Sequence, residues 1–197
     1  MKTSKERILK IAAELFVCKG YEGVSLTDIQ KEIGITRGGL FYHIESKGQL
    51  FKEVVDKYLF NAQDIENKFD YKHATTLLEF IKEYVRGVNM TMVKLRKDFP
   101  SISAGKYFLF IIEACKYIPE CKIKFEELNY NEINLWKTML SKAIENGEIK
   151  PKIDIECTAQ LFRYSFIGLS YSSCLDKGLD TEQLQELFLK IYKMIKI

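Results

Sequence analysis

The stretch that decides the fold is ITRGGLFYHIESKGQLF, residues 35–51. It places two glycines where a helix is expected, follows them with the ring side chains Phe41, Tyr42 and His43, and then offers a helix start at Ser46. Each glycine costs a helix on the order of 1 kcal/mol relative to alanine. Three consecutive rings on a helix cannot all face one core, because successive residues point in different directions. Part of this segment is therefore expected to be shaped for a partner.

Short helices surround these glycines at helix-turn-helix spacing. Apolar periodicity predicts helices over about 4–19, 26–33 and 37–43. Each predicted helix begins at a capping signal, namely a Thr3-x-x-Glu6 box, Ser25 with Asp28, and Thr36. The second and third helices are joined by the three residues Gly34-Ile35-Thr36, which is the spacing of a helix-turn-helix.

Helical periodicity also dominates the rest of the chain. Ser46-x-x-Gln49 is a further capping signal and opens a long helix predicted over about 46–68. Later helices are predicted over about 74–97, 103–117, 121–146, 155–176 and 181–195. The sequence therefore predicts an all-α chain, with an N-terminal three-helix helix-turn-helix domain over residues 1–47 and a larger helical domain over residues 48–197.

Composition narrows the class of protein. The chain has 197 residues and a formal net charge of +3, and residues 1–50 hold eight Lys/Arg against six Asp/Glu, so DNA binding has to be argued from placement rather than net charge. No apolar run approaches the roughly 20 residues of a membrane span, and the N-terminus lacks the apolar stretch of a signal peptide. A cytoplasmic chain with no membrane partner is predicted.

The five cysteines are an odd number spread along the chain, and buried reduced thiols are predicted rather than a disulfide framework. There is no CxxC motif, and the only histidines are His43 and His73, so no metal site is predicted. No cofactor motif is found, and no cofactor is expected.

If residues 25–44 are a helix-turn-helix, the helix at 37–43 lies in the major groove of DNA. Gly38 and Gly39 then allow a close approach to the bases, and the Arg37 guanidinium can pair with guanine O6 and N7. The side chains of Tyr42 and His43 can donate hydrogen bonds to phosphate oxygens.

Two further residues lie at predicted helix N-termini. Lys47 follows the Ser46 cap, and Thr27 is in the first turn of the helix over 26–33. Backbone N–H groups and the helix dipole favour an anion at these positions, so both residues are candidate phosphate contacts.

The run from Arg7 to Leu50 reads R-I-L-x-x-A-x-x-L-F…G-Y-x-G-V-S-L-x-D-I…G-I-T-R-G-G-L-F-Y-H-I-x-S-K-x-x-L. It closely resembles the DNA-binding domain of the TetR family of bacterial transcriptional regulators. The resemblance implies DNA contacts from the matching residues Thr27, Thr36, Arg37, Gly38, Gly39, Phe41, Tyr42, His43 and Lys47. The family usually has tyrosine where this chain has Phe41, so an apolar contact has to replace a phenolic hydrogen bond there.

The same resemblance implies a homodimer on a palindromic double-stranded DNA operator, repression as the default activity, and a ligand cavity among the central helices. These helices are rich in Phe, Tyr and Met, which can line an adaptable apolar cavity. Candidate wall residues are Phe80, Tyr84, Met90, Tyr107, Phe108, Ile111, Trp136 and Met139. An apolar or amphipathic small molecule is the expected effector.

The last two predicted helices carry apolar faces wider than a monomer needs to bury. We expect these faces to form the dimer interface, and Gly168 allows close helix approach. The candidate interface residues are Leu161, Phe162, Phe166, Leu169, Leu184, Phe188 and Ile191.

Two other classes of protein remain open at this point. An enzyme would need a catalytic constellation, and a pairing of His73 with Cys115 or Cys121 is conceivable, although the spacing does not favour it and no phosphate loop, HExxH or G-x-S-x-G motif is found. A helical sensor of small molecules or proteins that no longer binds DNA is the second alternative. Retention of Arg37, Tyr42 and Lys47 argues against it.

Overall fold

The structure, a computed structural model, describes residues 4–64 and 73–197, and within these ranges the chain is helical with no β-strand. The all-α prediction is confirmed. The helices are α1 (Lys5–Lys19), α2 (Leu26–Ile33), α3 (Arg37–Phe41), α4 (Lys47–Val55), α5 (Leu77–Asp98), α6 (Ala104–Tyr117), α7 (Cys121–Glu145), α8 (Ile155–Ser173) and α9 (Thr181–Ile195). In the described part of the chain, no helix combines the length and the apolar character needed to cross a membrane.

Side-chain caps begin most helices, and the predicted caps Ser25, Thr36 and Ser46 are confirmed. Ser25 and Asp28 form a reciprocal capping box, in which Ser25 Oγ accepts the Asp28 N–H at 3.1 Å and Asp28 Oδ2 accepts the Ser25 N–H at 2.9 Å. Side-chain caps also start α3, α4, α8 and α9 at Thr36, Ser46, Asp154 and Asp180. The cap of α1 is Ser4, whose Oγ accepts the Arg7 N–H at 3.3 Å. The predicted cap Thr3 lies outside the described residues.

Some helix ends differ from the prediction. α3 ends at Phe41 rather than at 43, and α8 ends at Ser173 rather than at 176. The helix predicted over 46–68 is α-helical over Lys47–Val55, π-helical over Asp56–Phe60, and α-helical again over Asn61–Gln63. Asp64 is extended, so the helix ends before it. Residues 65–68 of the prediction lie outside the described residues.

The π-helical segment has a packing cause. Its backbone bond runs from the Asn61 N–H to the Asp56 carbonyl, five residues back, so this turn contains one more residue than an α-helical turn. Adjacent apolar pairs are buried on both sides of it, at Leu50 and Phe51, Val54 and Val55, and Leu59 and Phe60. The spacing between pairs is four and then five residues, and the wider turn keeps all three pairs facing the core.

The apolar interior has two parts. The first core is built by α1 to α4 together with the π-helical segment, and it also includes Phe99, Phe110, Ala114, Ile118 and Cys121 from later in the chain. The predicted domain boundary at residue 47 therefore falls inside one packed core. The consequence is that α6 and the start of α7 are packed directly onto the helix-turn-helix.

The second core lies among α5, α7, α8 and α9, and Trp136 is at its centre. The indole is fully buried and stacks on Phe162 with 4.3 Å between ring centroids. The loop after α7 is fastened to this core by Glu148, whose carboxylate accepts the N–H groups of Leu77 and Leu78 at 2.8 and 3.1 Å and the Tyr192 hydroxyl at 3.0 Å. One carboxylate thus joins the start of α5 to α9.

The cysteines differ from the prediction in burial. All five are free, as expected, but Cys115 and Cys157 are exposed, whereas Cys121 and Cys174 are buried. In the described ranges, no group of His, Cys, Asp and Glu side chains is arranged to hold a metal ion.

Candidate nucleic-acid interface

The helix α3 presents one anchored face and one free face. Leu40 and Ile44 are buried in the first core, as their i, i+4 spacing predicts. The opposite side exposes Arg37, with 43% of Phe41 and 85% of Tyr42 accessible. The Arg37 guanidinium lies 5.6 Å from the centroid of the Phe41 ring. A cation and two rings are therefore held outward by a helix that is fixed from behind.

Of the two glycines of α3, the first is not required by the fold, whereas the second lies close to the hydroxyl that caps the helix. Neither has a positive φ, so an alanine would adopt the same backbone conformation. A Cβ built on Gly38 would meet no atom within 4 Å, and one built on Gly39 would lie 3.3 Å from Thr36 Oγ1. Glycine is required at the end of the preceding helix instead, because Gly34 adopts the left-handed conformation with φ 77°. Open space at Gly38 is consistent with a surface that another molecule approaches closely.

None of the nine predicted DNA contacts is buried. Thr27 is exposed in the first turn of α2, and Thr36 is exposed at the cap of α3. The half-buried ring of His43 meets Tyr42 edge to face, with 5.0 Å between centroids. Lys47 is the first residue of α4, where backbone N–H groups are free to bind an anion.

Sequence reasoning missed Tyr21, although it stands in the G-Y-x-G part of the motif. Lys47 Nζ lies 4.2 Å from the centroid of the Tyr21 ring, and this ring also packs against Phe51 and Tyr117 at 4.7 and 4.5 Å. The Tyr21 N–H donates to Glu113 Oε2 at 3.0 Å. Tyr21 therefore joins a candidate phosphate contact to α6.

A second candidate site is a cavity of about 620 Å³ with mainly apolar walls. Of the predicted wall residues, Tyr107, Phe108 and Ile111 line it. Ala13 and Val17 of α1 also line it, so the cavity reaches the helix-turn-helix domain directly. Its volume lies in the range of small-molecule sites.

The other predicted wall residues are elsewhere. Phe80, Tyr84, Trp136 and Met139 are buried in the second core, because the inner face of α7 packs against α5 and α8 and leaves no space there. Met90 is 60% exposed and does not line the cavity. Aromatic content alone did not distinguish a cavity wall from a solid core.

The cavity wall also contains polar groups. Arg163, which lines the cavity, pairs with Glu132 and donates from Nε to Asn129 Oδ1 at 2.9 Å. Burial raises the pKa of Tyr107 to about 12, which keeps its hydroxyl protonated. Ser170 Oγ is buried in the wall, with no hydrogen-bond partner among the described residues. An otherwise apolar ligand can therefore be oriented by a few fixed polar groups.

Most of the predicted dimer residues pack against other helices of the same chain. Phe162, Leu184 and Phe188 are fully buried in the second core, and Ile191 is 8% exposed, so these four are not available to a second chain. Phe166 and Leu169 are half-buried against the same core, and Leu161 is 49% exposed. The apolar faces of α8 and α9 are wide because each of these helices packs against several other helices of the same chain.

A different face of α8 is free. It consists of the exposed residues Cys157, Leu161, Tyr164, Gly168 and Tyr171, and their alternating spacing of four and three continues to Leu175, just beyond the end of the helix. We call this set the α8 stripe. A Cβ built on Gly168 would meet no atom within 4 Å. The spacing is the a/d repeat of helices that pack lengthwise, and it could have been found in the sequence.

Taken together, a short helix that follows a three-residue turn, is anchored from behind and exposed in front, and is joined to a larger helical domain defines a helix-turn-helix DNA-binding protein. Residues 8–54 match the family model described as bacterial regulatory proteins, tetR family. This match identifies the N-terminal domain as a DNA-binding domain of the TetR family, so the family recognised from the N-terminal motif is confirmed.

Relatives extend the match beyond the N-terminal domain. The transcriptional repressor BepR of Brucella suis biovar 1 (strain 1330) is 24% identical over 185 residues, which cover 90% of this chain and 84% of BepR. A structure of a regulator from Saccharomonospora viridis in complex with choline aligns with a TM-score of 0.71 at 17% identity, covering 98% of this chain and 97% of that one.

A further solved structure is that of AibR in complex with isovaleryl coenzyme A and operator DNA. It aligns with a TM-score of 0.62 at 21% identity, covering 98% of this chain and 97% of AibR. At this identity the likeness establishes the shared fold.

Proposed function

We propose that this protein is a repressor that binds a palindromic DNA operator as a homodimer and is released from it by a small apolar or amphipathic molecule. The observation that carries the proposal is the outward face of α3, where Arg37 and Tyr42 are exposed beside a glycine that the fold does not require. BepR is a repressor by name, which favours repression over activation.

The reading of sequence is assigned to Arg37 and the binding of phosphates to Lys47. A bidentate contact of an Arg guanidinium with guanine contributes about 1–3 kcal/mol of discrimination. Lys47 combines its charge with the N–H groups of the first turn of α4, and neither distinguishes one base from another.

The dimer is assigned to the α8 stripe. A palindromic site needs two reading helices about 34 Å apart, so two chains have to be joined at a fixed distance. Exposed apolar side chains at a/d spacing around Gly168 fit a helix of the same kind from a second chain.

The effector is assigned to the cavity. Its apolar walls favour an apolar body, and Arg163 and Ser170 offer donors for one polar group. Solved relatives of this fold hold choline and isovaleryl coenzyme A, respectively, which are ligands of very different size. The cavity of about 620 Å³ is suited to a molecule between these two.

Release from DNA requires that the ligand favour one arrangement of the helix-turn-helix domain over another. Because Ala13 and Val17 of α1 line the cavity together with Tyr58 of the π-helical segment, a ligand touches the reading domain directly. Only this differential affinity shifts the equilibrium, and a typical coupling of about 1–3 kcal/mol changes DNA affinity about 5- to 150-fold.

Selection of bound DNA from a random pool tests the proposal. We expect recovery of an inverted repeat whose half-sites are about one helical turn apart. A sensor that no longer binds DNA predicts no enrichment over the input pool, and such a result would refute the proposal.

The proposed release by a small molecule is tested with the recovered operator. The probe is the fluorescent apolar anion 1-anilinonaphthalene-8-sulfonate. The affinity for the probe is measured with and without operator, and linkage requires that the operator weaken probe binding as much as the probe weakens operator binding. Equal probe affinities in the two titrations would show that the cavity is not the switch.

A further inference from the structure

Two cysteines lie in contact where α6 meets α7. Cys115 Sγ is 3.4 Å from Cys121 Sγ, across the short connection between these helices. Cys115 is exposed to solvent, whereas Cys121 is fully buried in the first core. A disulfide has a sulfur–sulfur distance of about 2.05 Å, so a further approach of little more than an ångström would bring the two thiols to bonding distance.

We propose that Cys115 and Cys121 are a redox pair that a hydroperoxide converts into a disulfide, and that this bond weakens DNA binding. The first half concerns the thiols alone. The second half rests on the proposed function as a DNA-binding regulator.

The accessible sulfur reacts first. The Cys115 thiolate attacks the terminal oxygen of a hydroperoxide ROOH, and the oxygen–oxygen bond breaks to give the Cys115 sulfenic acid and the alcohol ROH, or water from hydrogen peroxide. Cys121 Sγ then attacks Cys115 Sγ, and the sulfur–oxygen bond breaks. The departing hydroxide takes the Cys121 proton and leaves as water. The sum is two thiols and one peroxide giving one disulfide, one ROH and one water.

The roles of the two sulfurs follow from their surroundings. Burial raises the pKa of Cys121 to about 12, so this thiol holds its proton at neutral pH and is a poor first nucleophile. Its burial also keeps peroxide away. The sulfenic acid on Cys115, in contrast, forms already in contact with the partner sulfur, so the second step does not require a search.

Within one turn of Cys115, α6 contacts the helix-turn-helix domain. Glu113 Oε2 accepts the Tyr21 N–H at 3.0 Å, and the rings of Tyr117 and Tyr21 lie 4.5 Å apart. The contact is tight, because a Cβ on Gly20 would lie 2.7 Å from Glu113 Oε1. A shift in the last turn of α6 is therefore transmitted to Tyr21 and to the Lys47 ammonium above it.

The other end of the bond is also attached to the reading domain. Glu120 pairs with Lys52 of α4 at 2.9 Å, and Lys124 pairs with Asp56 of the π-helical segment at 2.5 Å. Cys121 lies between Glu120 and Lys124 in the chain. Forming the disulfide thus acts on two neighbouring sets of contacts with the helix-turn-helix domain, one made by α6 and one made around the start of α7.

The experiment uses the full-length chain, first reduced and then treated with a small excess of hydrogen peroxide. We expect the reactive thiols of the unfolded protein to fall from the five of the sequence by two, the mass to fall by the two hydrogens lost in a disulfide, and peptide mapping to join Cys115 to Cys121. Operator affinity should fall about 5- to 150-fold and return with dithiothreitol.

Two variants separate the pair from general oxidation. Cys115→Ser changes an exposed side chain, so its fold should be preserved, and it should keep its operator affinity in peroxide. Cys18→Ser is the matched control, because Cys18 is also partly accessible but lies on α1, outside the α8 stripe. It should lose two thiols and operator affinity as the wild type does.

Three outcomes would count against the proposal. A sulfinic acid on Cys115 without the cross-linked peptide would overturn the redox pair. A complete disulfide with unchanged operator affinity would overturn the effect on DNA binding. A reduced protein that binds no operator would overturn the proposed function and with it the second half, while the thiol count would still decide the first.

Discussion

The exposed faces of α3 and α8 each contain a glycine with open space beside it, but they differ in the side chains around that glycine. Each has a helical glycine, Gly38 or Gly168, at which a Cβ would meet no atom within 4 Å. Around Gly38 the exposed groups include the Arg37 guanidinium and the Tyr42 hydroxyl, whereas Gly168 lies within the apolar α8 stripe. Under the proposed function, the open space at Gly38 serves the close approach of DNA and that at Gly168 the close approach of a second chain.

The largest expected effect comes from charging the α8 stripe. Leu161→Glu places a carboxylate on a half-exposed apolar position, so the monomer should fold while two chains no longer pair. Loss of the second reading helix should weaken operator binding by about 10²- to 10⁴-fold. Sedimentation should show a monomer. A dimeric Leu161→Glu protein would remove the assignment of this face to protein.

The next effect comes from the reading helix. Arg37→Ala should cost about 1–3 kcal/mol of discrimination between operator and random DNA, because the bidentate base contact is lost. It should leave sedimentation unchanged, which distinguishes it from the α8 variant. Competition binding against random DNA gives the measurement. An unchanged preference for the operator would show that α3 does not read the sequence.

Lys47→Ala should act on all DNA sequences alike. We expect weaker binding to operator and random DNA, with the salt dependence reduced by roughly one counterion for each half-site. Titrations at several salt concentrations measure this slope. A change in sequence preference without a change in slope would reverse the roles assigned to Lys47 and Arg37.

The smallest effect is the sharpest test of the comparison. Gly38→Ala should stabilise the folded protein by up to about 1 kcal/mol, because alanine favours the helix and meets no neighbour. It should nevertheless weaken operator binding, since the added methyl group occupies the space left for DNA. Gly168→Ala is the matched control, which should loosen the dimer instead. A Gly38→Ala protein that binds operator normally would leave this glycine unexplained.

Most helix starts, and the end of α2, followed from the sequence because their causes are local. The capping box of Ser25 with Asp28 and the left-handed Gly34 act within a few residues, and so does the i, i+4 anchoring of Leu40 and Ile44. Such signals can be read without knowing what lies across the molecule.

The cavity could not be placed in the same way. Trp136 and Tyr107 both lie on helices with aromatic residues, yet one is stacked on Phe162 in the second core and the other lines the cavity. Which of them meets empty space depends on how α5 to α9 cross, and no short stretch of sequence specifies that. The same reason placed Phe188 in the interior rather than on a surface for a second chain.

The helix that begins with α4 continues through a π-helical turn over Asp56–Phe60. Loss of one residue should therefore have a different effect in this turn than elsewhere in the helix. Removing one residue from an α-helix rotates everything after it by about 100°, which would turn Leu59 and Phe60 away from the core. Within this turn the chain already carries one residue more than an α-helix needs. Loss of Lys57 would restore a spacing of four and keep both side chains inward, so this turn is where a shorter chain could fold unchanged.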